Sequence, residues 1–205
     1  MSNRGKRQAA TVAQSDREFV LAAAASLFRD QGFDRTTVKE IAQACDMLPG
    51  SLHYRYPSKE SLLVDLMRLA LEQASSAVSR AIAGVDDPIE QLRRGINAHL
   101  DLLVDGSDMV YVLLFEWRSL RGQTRKEMIE LRDRYEELWA AMLQSLATQG
   151  VIRQDVDIHL LRLIGLGGLN WVATWFDKSG PYSLEDVGNF VWRLSRDAVI
   201  TEPGR

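Results

Sequence analysis

Apolar residues recur at helical spacing through most of this 205-residue chain. The first clear run lies between Asp16 and Gln31, and Gly32 behind it is a typical helix stop. Its apolar face consists of Val20, Ala24, Leu27 and Phe28. Residues 1–14 show no such period and are expected to form a flexible arm. No segment alternates with the period of two that a half-buried strand requires, so the pattern predicts an all-α fold.

Two short helices are predicted after Gly32. The first, TTVKEIAQAC, begins at Thr36 or Thr37, and Thr37 with Glu40 has the spacing of a capping box. The second begins near Leu48–Pro49, because proline suits the first helical turn, and it ends before Pro57. A four-residue turn joins the two helices.

Longer helices are predicted in the rest of the chain. Ser58 is expected to cap one that runs to about Ile82. Five more are predicted, separated by turn-forming segments, at about 88–105, 108–121, 124–149, 157–178 and 184–199. The total is about nine helices, and we expect a domain boundary near residue 60, with domains 1–60 and 61–205.

Charge is distributed unevenly along the chain. Residues 1–60 hold nine Lys/Arg and seven Asp/Glu, a net charge of +2, whereas the whole chain has a net charge of −3. The remainder therefore carries −5. A mildly basic head on an acidic body permits a polyanionic partner at the head.

The single cysteine and the apolar segments limit the possible compartments. Cys45 is the sole cysteine, so no internal disulfide can form, and a cytoplasmic location is expected. The apolar run from Phe19 to Phe28 resembles a signal peptide, but Asp16 and Glu18 directly precede it. The uncharged run Leu163–Phe176 is shorter than the roughly 20 residues that cross a bilayer. No membrane association is expected.

The three helices before residue 58 have the lengths and the turn of a helix-turn-helix unit. The third is barely two turns long, yet it carries His53, Tyr54, Arg55 and Tyr56. So short a helix cannot bury many large side chains. Its hydrogen-bond donors are therefore expected to meet phosphates and base edges in a DNA groove.

This N-terminal segment resembles the DNA-binding segment of the TetR family of bacterial transcriptional repressors. The resemblance rests on TTVKEIAQACDMLPGSLHYRYPSKESLL and on LFRDQGFDRTTV before it, and it spans about residues 16–66. Three positions depart from the family pattern: Asp46 replaces the glycine of the turn, His53 a tyrosine, and Arg55 a histidine. Asp46 tolerates the left-handed conformation, so the turn is expected to survive.

The resemblance implies a set of DNA-contacting residues on the second to fourth helices. Thr37 either contacts a phosphate or serves only as a helix cap, and Leu48 either meets a thymine methyl or packs in the core. Tyr54, Arg55 and Lys59 are either phosphate clamps or solvated surface. The full predicted set is Thr37, Leu48, Pro49, Ser51, His53, Tyr54, Arg55 and Lys59.

Other residues of this segment are assigned structural or auxiliary roles. Gly50 would let the backbone approach DNA closely. Leu52 and Tyr56 are expected in the core, and Cys45 is expected to be an inert buried thiol. The basic residues of the arm either follow an adjacent groove or only aid solubility: Arg4, Lys6 and Arg7.

The predicted helix at 157–178 is apolar on most sides and must be covered on most sides. With the amphipathic helix at 184–199 it could form an intersubunit four-helix bundle in a homodimer, the alternative being a larger monomeric core. The predicted dimer interface comprises Leu161, Gly165, Gly168, Val172, Trp175, Val187, Val191 and Leu194. A second stripe on the same helix comprises Leu160, Ile164, Gly167 and Trp171.

In the family the C-terminal body holds a small-molecule site. Aromatic and apolar residues with a few polar anchors are the candidates for its lining, although each could be ordinary core: His99, Leu103, Tyr111, Phe115, Arg118, Trp139, Met142, Asn170 and Trp171. GLNWVATWFDKSGPYSLEDV is similar to a branch that includes regulators of steroid and acyl-CoA catabolism. An acyl-CoA or steroid-derived inducer is therefore the first expectation.

The resemblance implies a homodimeric repressor on a palindromic operator of double-stranded DNA, released by a small hydrophobic inducer. Alternatives are a regulator of xenobiotic efflux, a ligand-independent regulator, and an activator. An enzyme is not expected, because the sequence has no G-x-S-x-G, no H-E-x-x-H and no phosphate loop. No cofactor and no metal site is expected.

Overall fold

The computed structural model describes the backbone of residues 3–105 and 108–200, and the side chains of 16–104 and 108–200. Over these residues the chain is all-α with nine α-helices. They are α1 (Asn3–Gln31), α2 (Val38–Ala44), α3 (Pro49–Arg55), α4 (Lys59–Ile82), α5 (Pro88–Asp105), α6 (Asp108–Phe115), α7 (Gly122–Thr148), α8 (Ile158–Trp175) and α9 (Leu184–Val199). The predicted fold class is confirmed, and most predicted helix ends agree within a few residues.

Two helices differ from the prediction. The first begins at Asn3 rather than Asp16, so residues 3–14 are helical where an aperiodic arm was expected. Good helix formers such as Ala9 and Ala10 lie in this extension, and lengthening an existing helix avoids the cost of nucleating a new one. The prediction that Arg4, Lys6 and Arg7 reach DNA concerns side chains outside the described residues.

The sixth helix was predicted to run to residue 121 but ends at Phe115. A 3₁₀ helix, Glu116–Ser119, follows it. Leu120 then adopts an extended backbone and is buried, and Gly122 turns the chain with a φ of +56° into α7. Periodicity does not show where the helix ends, because residues 109–115 are all apolar and any helical face of them could be buried.

The described residues form two compact units, one within Met1–Ala70 and Ser107–Met128, the other within Leu71–Gly106 and Ile129–Arg205. The first unit contains the helix-turn-helix segment, the start of α4, α6 and the start of α7. The domain boundary near residue 60 stays a prediction, since α4 contributes to both units.

The first unit is built on α1, which packs on α2 and α6. Its core holds large side chains that are fully buried: Leu21, Phe28, Ile41, Leu52, Leu62, Leu63, Leu66 and Met67. An ion pair between Arg29 of α1 and Asp108 of α6, at 2.7 Å, lies at the edge of this packing. The helix-turn-helix segment is therefore backed by a continuous apolar core.

The second unit packs α5 against both α8 and α9. Gly188 of α9 is buried against α5, and a Cβ at this position would lie 2.7 Å from Oδ1 of Asn97. A larger residue at this position would require the Asn97 side chain to move. After α7, Arg153 N–H donates to the carbonyl oxygen of Val199 at 3.0 Å, and an isolated antiparallel bridge joins Ile152 to Ile200.

None of the described helices has both the length and the apolar character that crossing a membrane would require.

Candidate nucleic-acid interface and apolar cavity

The turn between α2 and α3 adopts the left-handed conformation that the sequence predicts. Asp46 has a φ of +53°, which aspartate tolerates better than most residues. The N–H of Met47 then donates to the carbonyl oxygen of Ala42 at 2.8 Å, which closes the end of α2. The turn thereby fixes the direction in which α3 leaves α2.

Helix α3 has one buried side and one exposed side. Leu52 is fully buried, as predicted. Leu48 is 76% exposed and Tyr54 is 92% exposed, so the alternative that Leu48 packs in the core is wrong. We call the exposed residues of this segment the reading face: Leu48, Pro49, Gly50, Ser51, His53, Tyr54 and Arg55.

Tyr56 anchors the end of α3 to the helices behind it. It is buried, as predicted, and its hydroxyl donates to Oδ2 of Asp65 in α4 at 2.8 Å. Arg17 of α1 donates to both oxygens of the same carboxylate, at 2.9 and 2.6 Å. Burial alone would raise the pKa of Asp65, but the hydrogen bonds from Arg17 and Tyr56 outweigh it and lower the pKa. This cluster ties the end of α3, which carries the reading face, to α1 and α4.

Thr37 forms the predicted capping box at the start of α2. Its Oγ1 accepts from the N–H of Glu40 at 3.2 Å and donates to Oε2 of Glu40 at 2.7 Å, and its own N–H donates to Oε2 at 2.7 Å. These bonds lower the pKa of Glu40. Thr37 is exposed, but its hydroxyl proton is engaged by Glu40 and would have to leave it to reach a phosphate.

Lys59 does not have the free ammonium group that the prediction of a phosphate clamp requires. Its Nζ donates to the carbonyl oxygens of Phe33, Asp34 and Thr36, at 2.5, 3.1 and 2.9 Å. It also lies 4.3 Å from the centroid of the Phe33 ring. An ammonium group has three N–H donors, and all three are used here. Lys59 therefore holds the α1–α2 connection in place.

Cys45 is buried beside the turn, and burial raises the pKa of its thiol. A protonated, buried thiol is a poor nucleophile, which agrees with the expected inert role.

In the second unit, His99 is the centre of a buried polar network. It is 4% exposed, and its Nδ1 lies 2.6 Å from the hydroxyl of Tyr135 while its Nε2 lies 3.0 Å from Oδ1 of Asn170. An amide oxygen can only accept, so Nε2 carries the proton and Nδ1 accepts from Tyr135. Burial lowers the pKa of His99 to about 4, so the ring is neutral at pH 7.

Tyr135 was not among the predicted site residues. It lies four residues before Trp139 and seven before Met142, the spacing of one face of α7, and this periodicity could have identified it. Burial raises the pKa of Tyr135, and the nearby indole of Trp139 opposes that rise. Trp139 and Met142 are both buried, and both lie against the position of Gly95 in α5.

An apolar cavity of about 70 Å³ lies among α5, α7, α8 and α9. It is lined by Leu92, Ile96, Trp139, Leu143, Leu146, Ile152, Leu161, Arg162, Gly165, Leu166, Leu169, Val191, Ser195, Val199 and Ile200. Of the residues predicted for a ligand site, Trp139 lines this cavity. His99 and Asn170 belong to the buried polar network with Tyr135, which lies four residues before Trp139 on α7.

The remaining predicted ligand residues are dispersed. Tyr111, Phe115 and Arg118 lie in the first unit, where the Tyr111 and Phe115 rings are 4.6 Å apart. Leu103 is buried in the second unit. Trp171 is 64% exposed on α8, so it is a surface residue of the chain and not part of an enclosed lining.

The exposed residues of α8 come from both predicted stripes, not only from the stripe that was predicted for the dimer interface. Leu160, Ile164, Gly167 and Trp171 are exposed, with Ile164 at 72%. Among the residues predicted for the dimer interface, Gly165, Gly168, Trp175 and Leu194 are exposed as required, whereas Val172 and Val187 are buried within their own unit. Leu161 and Val191 line the cavity, and Gly165 lines it as well.

Large apolar side chains are exposed on both α8 and α9. We call them the α8–α9 face: Leu160, Leu163, Ile164, Trp171, Trp175, Phe190 and Leu194. Single exposed apolar residues are ordinary, but seven large ones on two helices are not, and such surfaces mark interaction sites.

Two family models match the chain. The one described as "Bacterial regulatory proteins, tetR family" matches residues 20–66, and "Tetracyclin repressor-like, C-terminal domain" matches residues 85–199. The first contains the end of α1, all of α2 and α3, and the start of α4, and the second spans α5 to α9.

Similar proteins and structures agree with these matches. The HTH-type transcriptional repressor KstR2 of Mycolicibacterium smegmatis is 27% identical over 176 residues, which are 85% of this chain and 85% of that protein. PfmR, a TetR family transcriptional regulator from Thermus thermophilus, is 35% identical with a TM-score of 0.76 over 85% of this chain and 95% of that one. AibR, solved in complex with isovaleryl coenzyme A and operator DNA, is 27% identical with a TM-score of 0.81 over 87% of this chain and 97% of that one.

Proposed function

Because this chain belongs to the TetR family of bacterial regulatory proteins, we propose that it is a homodimeric transcriptional repressor. In this proposal, two copies bind a two-fold symmetric operator through their reading faces. A small hydrophobic effector releases them.

The DNA-binding part of the proposal rests on two observations. The reading face is exposed, and buried side chains attach the helix behind it to the core. Tyr54 and Arg55 extend from a helix that is fixed at its end by Tyr56 and at its base by Leu52. Phosphate contacts position a protein on DNA, and side chains at base edges specify the sequence. Arg55 and Tyr54 suit phosphates, and Leu48, Ser51 and His53 suit base edges, with Leu48 available to a thymine methyl.

Dimerisation is supported by the α8–α9 face. One two-turn helix offers few base contacts, whereas two copies related by a two-fold axis reach successive half-sites of an operator. Ile164 and Trp171 on α8, with Phe190 on α9, would pack against their equivalents in the partner. Gly167 and Gly168 are exposed on α8, and a Cβ at either would meet nothing within 4 Å in their own chain, so they leave room for a close approach by the partner.

The effector part of the proposal is supported by the cavity and by two similar proteins. KstR2 is a repressor, and AibR was solved with a coenzyme A ester and operator DNA. An apolar cavity beside a buried polar network suits an acyl-type effector. By linkage, operator and effector must weaken each other's binding by the same factor. This factor corresponds to a coupling free energy of typically about 1–3 kcal/mol.

A duplex selected from a random library by the wild-type protein provides the operator for the test. Fluorescence polarisation at several salt concentrations then gives the affinity and its salt slope. Arg55→Ala should weaken binding to all sequences and flatten the slope by about 0.9 for each phosphate that is no longer neutralised, hence by about two for a dimer.

Arg80→Ala is the matched control, because Arg80 is also exposed but lies on the part of α4 that belongs to the second unit. It removes the same charge and should leave the slope unchanged. Failure of the wild-type protein to select any duplex in dilute salt would contradict the proposed function.

A further inference from the structure

The connection from α6 to α7 concentrates positive charge in a chain that is acidic as a whole. Residues 117–126 contain four basic residues and no Asp or Glu, whereas the net charge of the chain is −3. We call these four residues the basic connection: Arg118, Arg121, Arg125 and Lys126. All of them are exposed. Such a local excess of one sign of charge favours a partner of the opposite sign.

The charges of the basic connection are not compensated by ion pairs. Among the described residues, none of its four side chains is paired with a carboxylate, whereas Arg17 and Arg29 of the same unit are. The acidic residues at either end of the segment, Glu116 and Glu127, accept hydrogen bonds from uncharged side chains instead. The four cations therefore remain accessible to an external anion.

The indole of Trp117 orders two of the arginines. The guanidinium carbon of Arg125 lies 4.9 Å from the centroid of the indole, and that of Arg118 lies 5.7 Å from it. Both distances are within the range of a cation–π interaction. A guanidinium that is stacked on an aromatic face keeps its N–H groups at the edge, where they can donate to the oxygens of a phosphate. Arg121 lies one helical turn before Arg125, whose N–H donates to the Arg121 carbonyl oxygen at 3.4 Å. The start of α7 therefore brings several phosphate donors together.

The basic connection is joined to the helix-turn-helix segment at two points. The hydroxyl of Thr124 donates to the carboxylate of Glu60 in the first turn of α4, and Glu60 follows Arg55 of the reading face by five positions. The carboxylate of Glu116 accepts from the N–H of Phe33, in the loop before α2, at 3.4 Å. All of these residues belong to the first unit. The basic connection therefore lies beside the helices that carry the reading face, which favours DNA over an acidic protein as its partner.

Duplex DNA carries one negative charge for about every 1.7 Å of its axis, so phosphates continue on both sides of the groove that a reading face would occupy. We propose that the basic connection binds the phosphate backbone of the operator beside that groove, outside the contacts of α3. This inference rests on the proposed function, because it requires a bound duplex. Phosphates carry no direct sequence information. The basic connection therefore strengthens binding to every duplex and leaves the sequence preference to the reading face.

The test measures DNA binding of the double variant Arg121→Ala/Arg125→Ala by fluorescence polarisation at several salt concentrations. It uses the duplex that the wild-type protein selects and an unrelated duplex of the same length. With one phosphate for each arginine, a dimer loses four contacts, so the salt slope should flatten by about 3.6, at about 0.9 for each contact. Affinity should fall by the same factor for both duplexes, because sequence preference is retained.

Two further variants serve as controls. Arg80→Ala/Arg134→Ala removes two exposed arginines from the second unit, and its slope should equal that of the wild-type protein. Arg121→Lys/Arg125→Lys keeps both charges and should keep the slope, since counterion release depends on charge. A purely structural role of the two arginines would lower the affinity without changing the slope, so the slope distinguishes the two roles.

A wild-type slope in Arg121→Ala/Arg125→Ala, while the wild-type protein binds its operator, would overturn this inference alone and would leave an acidic protein as the partner of the basic connection. A loss of affinity confined to the selected duplex would also overturn it, because the arginines would then read sequence. Failure of the wild-type protein to select any duplex would contradict the proposed function and this inference with it.

Discussion

The ammonium group of Lys59 donates a hydrogen bond to the carbonyl oxygen of Thr36 at 2.9 Å, across 23 residues of sequence. Because Thr37 follows directly and caps α2, this bond fixes the backbone from which α2 starts. A lysine at the first residue of α4 thus supports the helix-turn-helix segment from inside the protein.

We therefore predict that Lys59→Ala lowers the free energy of unfolding by about 1–3 kcal/mol, because three carbonyl oxygens are left without their donor. Operator binding should weaken, but its salt slope should stay that of the wild-type protein, since every phosphate contact is retained. Urea denaturation and polarisation titrations measure the two effects. A slope as flat as that of Arg55→Ala would instead make Lys59 a phosphate clamp.

Gly50 offers a substitution that separates folding from DNA binding. A Cβ added at this position meets nothing within 4 Å, so no contact within the chain requires glycine. Gly50→Ala should therefore raise the free energy of unfolding, by up to about 1 kcal/mol, because alanine is the better helix former. Operator affinity should nevertheless fall, since the methyl group occupies the space through which the backbone approaches DNA. Unchanged operator affinity would show that this backbone stays distant from the duplex.

The α8–α9 face makes a prediction about association. Ile164→Glu places a charge among the exposed apolar residues of α8 and should convert dimers to monomers, because a buried, unpaired carboxylate is costly. Leu48→Glu is the matched control, since Leu48 is exposed to a similar degree, 76% against 72%, but lies on the reading face. It should remain dimeric while losing operator affinity. Sedimentation velocity distinguishes the two variants, and an Ile164→Glu protein of wild-type mass would exclude this face as the interface.

The sequence predicts the orientation of α3 because its few apolar residues leave little choice. Leu52 and Tyr56 are four residues apart and must share a buried face, so His53, Tyr54 and Arg55 are directed outward. The role of Lys59 could not be predicted in this way. Its acceptors are backbone carbonyls of residues 33, 34 and 36, and no side-chain pattern records which carbonyls a loop leaves unsatisfied.

The sequence predicts that two sides of α8 are covered. It does not predict which side packs within the same subunit and which packs on a second subunit. Leu161 and Ile164 are equally apolar, yet the first lines the cavity and the second is exposed. The distinction depends on where α5 and α9 lie, which requires long-range packing. In the same way, periodicity can place Tyr135, Trp139 and Met142 on one face of α7, but the neutral hydrogen-bond network of His99 follows only from the three-dimensional arrangement.

The buried His99 leads to a prediction about pH. Its pKa is about 4 in the folded protein and about 6.5 in an unfolded chain, so between these values the unfolded state binds a proton that the folded state does not. The stability that neutral His99 contributes is therefore complete above pH 6.5 and is lost as the pH falls towards 4, by up to about 3 kcal/mol. His99→Gln, which cannot titrate, should lower the free energy of unfolding at pH 7 but show a weaker dependence on pH between 4 and 6.5. Urea denaturation of both proteins across this range tests this, and the carboxylates that titrate there contribute equally to each. Parallel pH curves for the two proteins would mean that the folded and unfolded states bind the His99 proton equally, so that burial does not lower its pKa.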